Sequence, residues 1–151
     1  MGDRDFFSDE CIDCPITVWH YPTNPNRIAY VELCERGVQE NPNNWIMHLQ
    51  LAAEYEIHEM YEKAIEEYKK IILEQDTLSL SEVGRCYASL GRVLGLINKD
   101  EEALRILKKG RTIIPNCGDC YFLAAEITYK NNDYQTTYNL CKEGLKKADV
   151  N

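Results

Sequence analysis

The strongest constraint on this chain is a self-similarity at a fixed offset. Gly84-Arg85-Cys86-Tyr87-Ala88-Ser89-Leu90-Gly91 and Gly118-Asp119-Cys120-Tyr121-Phe122-Leu123-Ala124-Ala125 lie 34 residues apart, and each opens Gly-x-Cys-Tyr. At the same offset Asp100 matches Tyr134, Leu107 matches Cys141 and Gly110 matches Gly144. A third copy starts at Trp45, 39 residues before its successor, with Leu51-Ala52, Tyr55, Tyr61, Ala64, Tyr68 and Ile71 at corresponding places. About five extra residues therefore fall in Glu74–Leu80. Units of this size bury their apolar faces by stacking on their neighbours, not around one centre.

The texture from Arg27 onward is helical, with apolar residues recurring at three and four and Gly, Asn, Asp or Pro breaks between the runs. The spacing predicts seven helices, at about 27–39, 45–57, 61–75, 80–97, 100–113, 118–131 and 134–147. Ser79-Leu80-Ser81-Glu82 is a capping-box pattern, and Asn98-Lys99-Asp100-Glu101 offers a similar arrangement with Asn. Pro42 and Pro115 fall between helices, where a missing N–H costs least. Residues 1–26 read as an irregular arm. Pro15, Pro22 and Pro25 exclude a long helix there, and the β-branched and aromatic run Ile16–Tyr21 suits a short strand.

Composition narrows the setting. With 17 Lys and Arg against 25 Asp and Glu, the net charge is −8. An acidic surface repels phosphate backbones and anionic headgroups, so neither nucleic acid nor a membrane surface is an expected partner. No apolar run reaches the roughly 18 residues of a membrane span. The start of the chain carries acids where a signal peptide would be basic and then apolar. Seven cysteines cannot pair off completely within one chain, so reduced thiols in a cytoplasmic setting are expected.

The repeat resembles the tetratricopeptide family of 34-residue helix-turn-helix units. The copy beginning at Gly84 has Tyr87, Leu90-Gly91, Ala103, Leu107 and Pro115 at that family's marker positions, and the copy before it has Tyr61-Glu62-Lys63-Ala64-Ile65. The resemblance implies an all-α, right-handed superhelical solenoid in which Ala52, Gly91 and Ala125 let paired helices approach, while Ala64 and Ala103 admit a neighbouring helix. It covers 27–147, with a half repeat over 27–42 and full repeats at 45–78, 84–117 and 118–151. Arg27–Gln39 reads as a second helix lacking its first, although Gly37 and Pro42 keep the family spacing. Thr137 and Asp76 depart from the pattern, standing where the family has a small Ala and a Pro. Arrays of the family usually finish with a further solvating helix that this sequence does not supply. The expectation is therefore that the last helix tolerates exposure of Leu145 and its neighbours, that another chain, as in a homodimer, covers it, or that the chain is a piece of something longer. A second, shorter resemblance, through Ile16-Thr17-Val18-Trp19-His20-Tyr21-Pro22 and the helix after it, is to the junction behind the catalytic domain of bacterial family-2 glycosyltransferases. It implies an accessory module that positions an acceptor or aids dimerisation.

Little in the chain suggests catalysis. Cys11-Ile12-Asp13-Cys14 and Cys117-Gly118-Asp119-Cys120 have the spacing for zinc thiolates, but about a hundred residues separate Cys11 and Cys14 from Cys117 and Cys120. Cys120 shares its repeat position with Cys86, so small apolar packing is the expected role, and the βαβ setting of a redox dithiol is absent. His48 and His58 lie ten residues apart, too far to chelate one ion, and read as surface or packing residues. No phosphate loop, nucleophile elbow or dinucleotide fingerprint occurs, so no cofactor or metal is expected.

The expected function is a non-catalytic scaffold that holds a protein or peptide in a concave groove. Carrying the family's groove positions over gives Leu49, Ala53 and Glu56, then Arg85, Ala88 and Arg92, then Phe122, Glu126 and Tyr129. Arg85 and Arg92 lie two turns apart on one face. With Phe122 and Tyr129 beside them they would suit a peptide with an acidic group or a C-terminal carboxylate and an apolar anchor. The alternative is that both arginines pair with Glu126 or other local acids. The Lys/Asn set of chaperone-tail-binding members is not present at these positions.

Overall fold

The computed structural model describes residues 25–148, with side chains from residue 29. The arm before residue 25 and its expected strand lie outside the described residues. Seven helices follow: α1 (Pro25–Glu40), α2 (Trp45–Ile57), α3 (Tyr61–Leu73), α4 (Leu80–Leu96), α5 (Asp100–Ile113), α6 (Gly118–Lys130) and α7 (Tyr134–Ala148). Each helix packs on the next in sequence, and α4 also packs on α6, so the core runs along a stack. Among the described residues there is no strand, and no helix is long and apolar enough to cross a membrane.

Helix starts follow local chemistry. α1 begins at Pro25, two residues before the expected start; at the first helical position proline's missing N–H has no intrahelical partner to lose. Asn44 caps α2 by accepting from the Met47 N–H at 3.2 Å. The capping box of α4 is complete, with Ser79 Oγ accepting from the Glu82 N–H and Glu82 Oε2 accepting from the Ser79 N–H. Asn98 does not cap α5. It holds a left-handed φ of 62°, and α5 starts from Lys99 without a side-chain cap.

That left-handed residue recurs. Glu59, Asn98 and Asn132 have φ of 58°, 62° and 64° at one repeat position, each just past a first helix. The N–H groups of Met60, Lys99 and Asp133 then bond back to the carbonyls of Tyr55, Leu94 and Thr128, closing the same turn three times. Asn tolerates this backbone and Glu does not, at a cost on the order of 1 kcal/mol. Glu59→Asn is therefore expected to raise stability by about 0.5–1 kcal/mol in chemical denaturation. An unchanged or lowered midpoint would contradict this reading of the turn.

Small residues set the spacing of the hairpins. Ala52, Ala64 and Ala103 are fully buried, and Gly91 packs directly on Leu107. A Cβ at Gly110 or Gly144 would come within 3 Å of the Cβ of Tyr87 or Tyr121, so two hairpins close on the same Gly–Tyr contact. In the last hairpin Thr137 is accommodated by a hydroxyl pair, its Oγ1 lying 2.8 Å from that of the buried Thr128. The insertion after α3 forms a single 3-10 turn, Gln75–Thr77, and the Tyr87 hydroxyl donates to Gln75 Oε1 at 2.9 Å to hold it against the stack.

Candidate functional site

The first helices of the hairpins, α2, α4 and α6, line two adjoining hollows. One, of about 430 Å³, is bounded by Ala53, Glu56, Tyr61, Arg85, Arg92 and Leu96. The next, of about 300 Å³, shares Arg92 and Leu96 and continues past Glu126, Ile127 and Lys130. Together they make a groove with Arg92 at its middle.

Glu56 and Arg92 meet across the first hollow, where Arg92 Nε donates to Glu56 Oε1 at 2.6 Å. The Tyr68 hydroxyl donates to the other oxygen of Glu56 at 3.1 Å, and Arg92 Nη2 reaches Ser89 Oγ at 3.4 Å. The Glu56 hydrogen bond outweighs the effect of burial and holds the Arg92 guanidinium firmly charged. Burial, and then the neighbouring Glu56 charge, push the Tyr68 phenol well above its ordinary range. This network presents hydrogen-bonding groups and charge to the hollow. At the far end Lys130 Nζ pairs with Asp100 at 3.3 Å. Arg85 is exposed at the rim, with Glu82 its charged neighbour.

Two solved structures share the architecture. MamA MSR-1 matches at 17% identity with a TM-score of 0.69, over 87% of this chain and 73% of that one. MamA AMB-1 matches at 18% identity with a TM-score of 0.65, over 86% and 69%. The fold is a helical repeat of the tetratricopeptide type. No family model matches the chain, and no curated protein does. The resemblance to a glycosyltransferase junction gains no support from these comparisons.

In this tetratricopeptide-type array the nine residues carried over from the family separate into groups. Ala53, Glu56, Arg85 and Arg92 line one hollow, and Glu126 lines the next. Leu49 and Ala88 do not line the groove. They are 3% and 4% exposed and belong to the core, because their repeat position points into the stack. Phe122 occupies that same position in the last hairpin, where no described helix covers it. It is 64% exposed and lines a separate apolar hollow with Leu140, Cys141 and Leu145, away from the arginines. Tyr129 is exposed and packs edge-on against Tyr134 at 5.5 Å, outside both hollows. The arginines also differ from each other, since Arg92 is paired, with Glu56 and not Glu126, while Arg85 forms no ion pair among the described residues.

Sequence reasoning missed Tyr61, Leu96 and the Tyr68 hydroxyl. The Tyr68 ring is buried in the stack, but its oxygen faces the hollow. Among the described residues no three His, Cys, Asp or Glu side chains gather as a metal would require. Cys11 and Cys14 lie outside the described residues.

Proposed function

We propose that the chain is a non-catalytic scaffold that holds a peptide or protein segment in the groove along α2, α4 and α6. The observation that carries this reading is the exposed Arg85 facing the same hollow as Arg92, with the apolar Leu96 and Ala53 beside them. An acidic side chain or terminal carboxylate docks on Arg85 and shares the guanidinium of Arg92, and an apolar side chain beside it rests on Leu96 and Tyr61. Glu56 is the internal competitor, already occupying Nε of Arg92. Phe122 and Tyr129 have no part in the anchor.

The test is a calorimetric titration of acidic-tailed peptides against the native chain and the Arg85→Ala/Arg92→Ala variant. We expect a loss of about tenfold or more in affinity, from charge-assisted bonds partly open to solvent. Glu56→Gln is expected to change affinity in the opposite direction, because it removes a competing carboxylate. Unchanged binding in the double variant would end the arginine proposal.

A further inference from the structure

Cys117-Gly118-Asp119-Cys120 opens α6, with Cys117 at the N-cap and Cys120 in the first turn. The two sulfurs lie 3.1 Å apart, with the Cys120 thiol beside that of Cys117. Cys117 is half-buried, its sulfur 4.0 Å from the Gly84 carbonyl oxygen, and Gly118 next to it is exposed. Cys120 is fully buried in the seam between α5 and α6, its sulfur against Gly110. One thiol therefore belongs to a partly exposed residue, and its neighbour is held within bonding reach and hidden from solvent. The repeat supplies a control: Cys86, at the same position as Cys120, has Val83 where Cys117 would be, and its thiol contacts the Tyr68 carbonyl oxygen.

The geometry points to a redox pair, in which Cys117 is the attacking thiol and Cys120 the resolving one, and which closes to an intramolecular disulfide on meeting a small-molecule disulfide. The surroundings suit the assignment. The hydrogen bond between Cys117 and Cys120 outweighs burial and, with the backbone N–H groups at the helix start, brings Cys117 down to about 6. The same contact, together with burial, pushes Cys120 far up, while Arg111 works the other way and Asp119 adds to the rise. Burial alone pushes Cys86 up to about 12.

The Cys117 thiolate attacks one sulfur of the disulfide, forming a mixed disulfide and releasing one thiolate, which takes the proton of Cys120. The Cys120 sulfur then attacks Cys117, and the second thiolate leaves and is protonated by solvent. Two protein thiols are oxidised to one disulfide, and the reagent is reduced to two thiols.

The full chain is incubated with oxidised glutathione at neutral pH, quenched with an alkylating reagent and mapped by mass spectrometry. The expected major product is a Cys117–Cys120 bond, with Cys86 unmodified and the exposed Cys141 carrying only a glutathione adduct. Cys120→Ala is expected to trap glutathione on Cys117. Alkylation of the native chain against pH gives a second reading that needs no variant. The Cys117 rate should rise through about pH 6 and level off about one unit above it. Stable glutathione on native Cys117 without the internal bond, or a Cys117 rate that keeps rising through the free-thiol range of about pH 8.5, would overturn the assignment.

Discussion

Truncating Leu107 to alanine is expected to lower stability by about 2–5 kcal/mol, among the largest effects of any single change in the array. Leu107 is fully buried and fills the slot that Gly91 leaves on α4. A Cβ at Gly91 would come within 2.4 Å of Leu107 Cγ and Cδ2, so the fully buried leucine would have to shift. Gly91→Ala alone should therefore cost about 1–3 kcal/mol, although alanine favours a helix over glycine by about 1 kcal/mol. The two changes share one space. In the double variant the added methyl enters the cavity left by the truncated leucine, and the loss should fall short of the sum by about 1 kcal/mol or more in denaturant unfolding. Strict additivity would show that the hairpin is not spaced by this contact.

The second large effect is expected at His48, where substitution by alanine should cost about 3 kcal/mol. Its Nδ1 lies 2.6 Å from Glu67 Oε2 and its Nε2 2.8 Å from the Pro42 carbonyl oxygen, and its ring stacks on Trp45 at 4.7 Å. Removing it opens the contact between α2 and α3 and leaves a buried carboxylate with Lys70 as its remaining ion pair. Burial pushes the Glu67 carboxyl up, but the hydrogen bonds from His48 and Lys70 outweigh that and hold it below the ordinary carboxylate value of 4.5. A carboxyl lowered in the folded state contributes its full stability above the unfolded value and loses it as pH falls through the folded one. Native stability should therefore decline more steeply as the pH falls below about 5 than that of Glu67→Gln. Parallel profiles would remove Glu67 from the account.

The helical array was legible because its signals are local and repeated. Helix periodicity, the Gly-x-Cys-Tyr echo and the capping box at Ser79 each depend on residues a few places apart. Features that depend on how hairpins stack were not legible. Glu56 and Arg92 are 36 positions apart, and His48 and Glu67 are 19 apart, so nothing in the spacing distinguishes them from other acids and bases. The groove assignment failed at Leu49 and Ala88 for a related reason. Carrying positions over one by one fixes which way a residue faces on its own helix, but not which helix covers it. The contrast between buried Ala88 and exposed Phe122, at one repeat position, shows how much the neighbour decides. Asn98 was misread because Asn serves both as an N-cap and as a left-handed turn residue, and only the backbone distinguishes the two.

The central claim is that the face formed by α2, α4 and α6 receives an acidic peptide. Chemical-shift mapping on the isotope-labelled chain, at saturating acidic-tailed peptide, tests it most directly. The largest shifts are expected at Ala53, Arg85, Ser89, Arg92 and Leu96, with the outer faces of α3 and α5 unchanged. Shifts confined to those outer faces, or to the terminal hollow around Phe122 and Leu145, would contradict it.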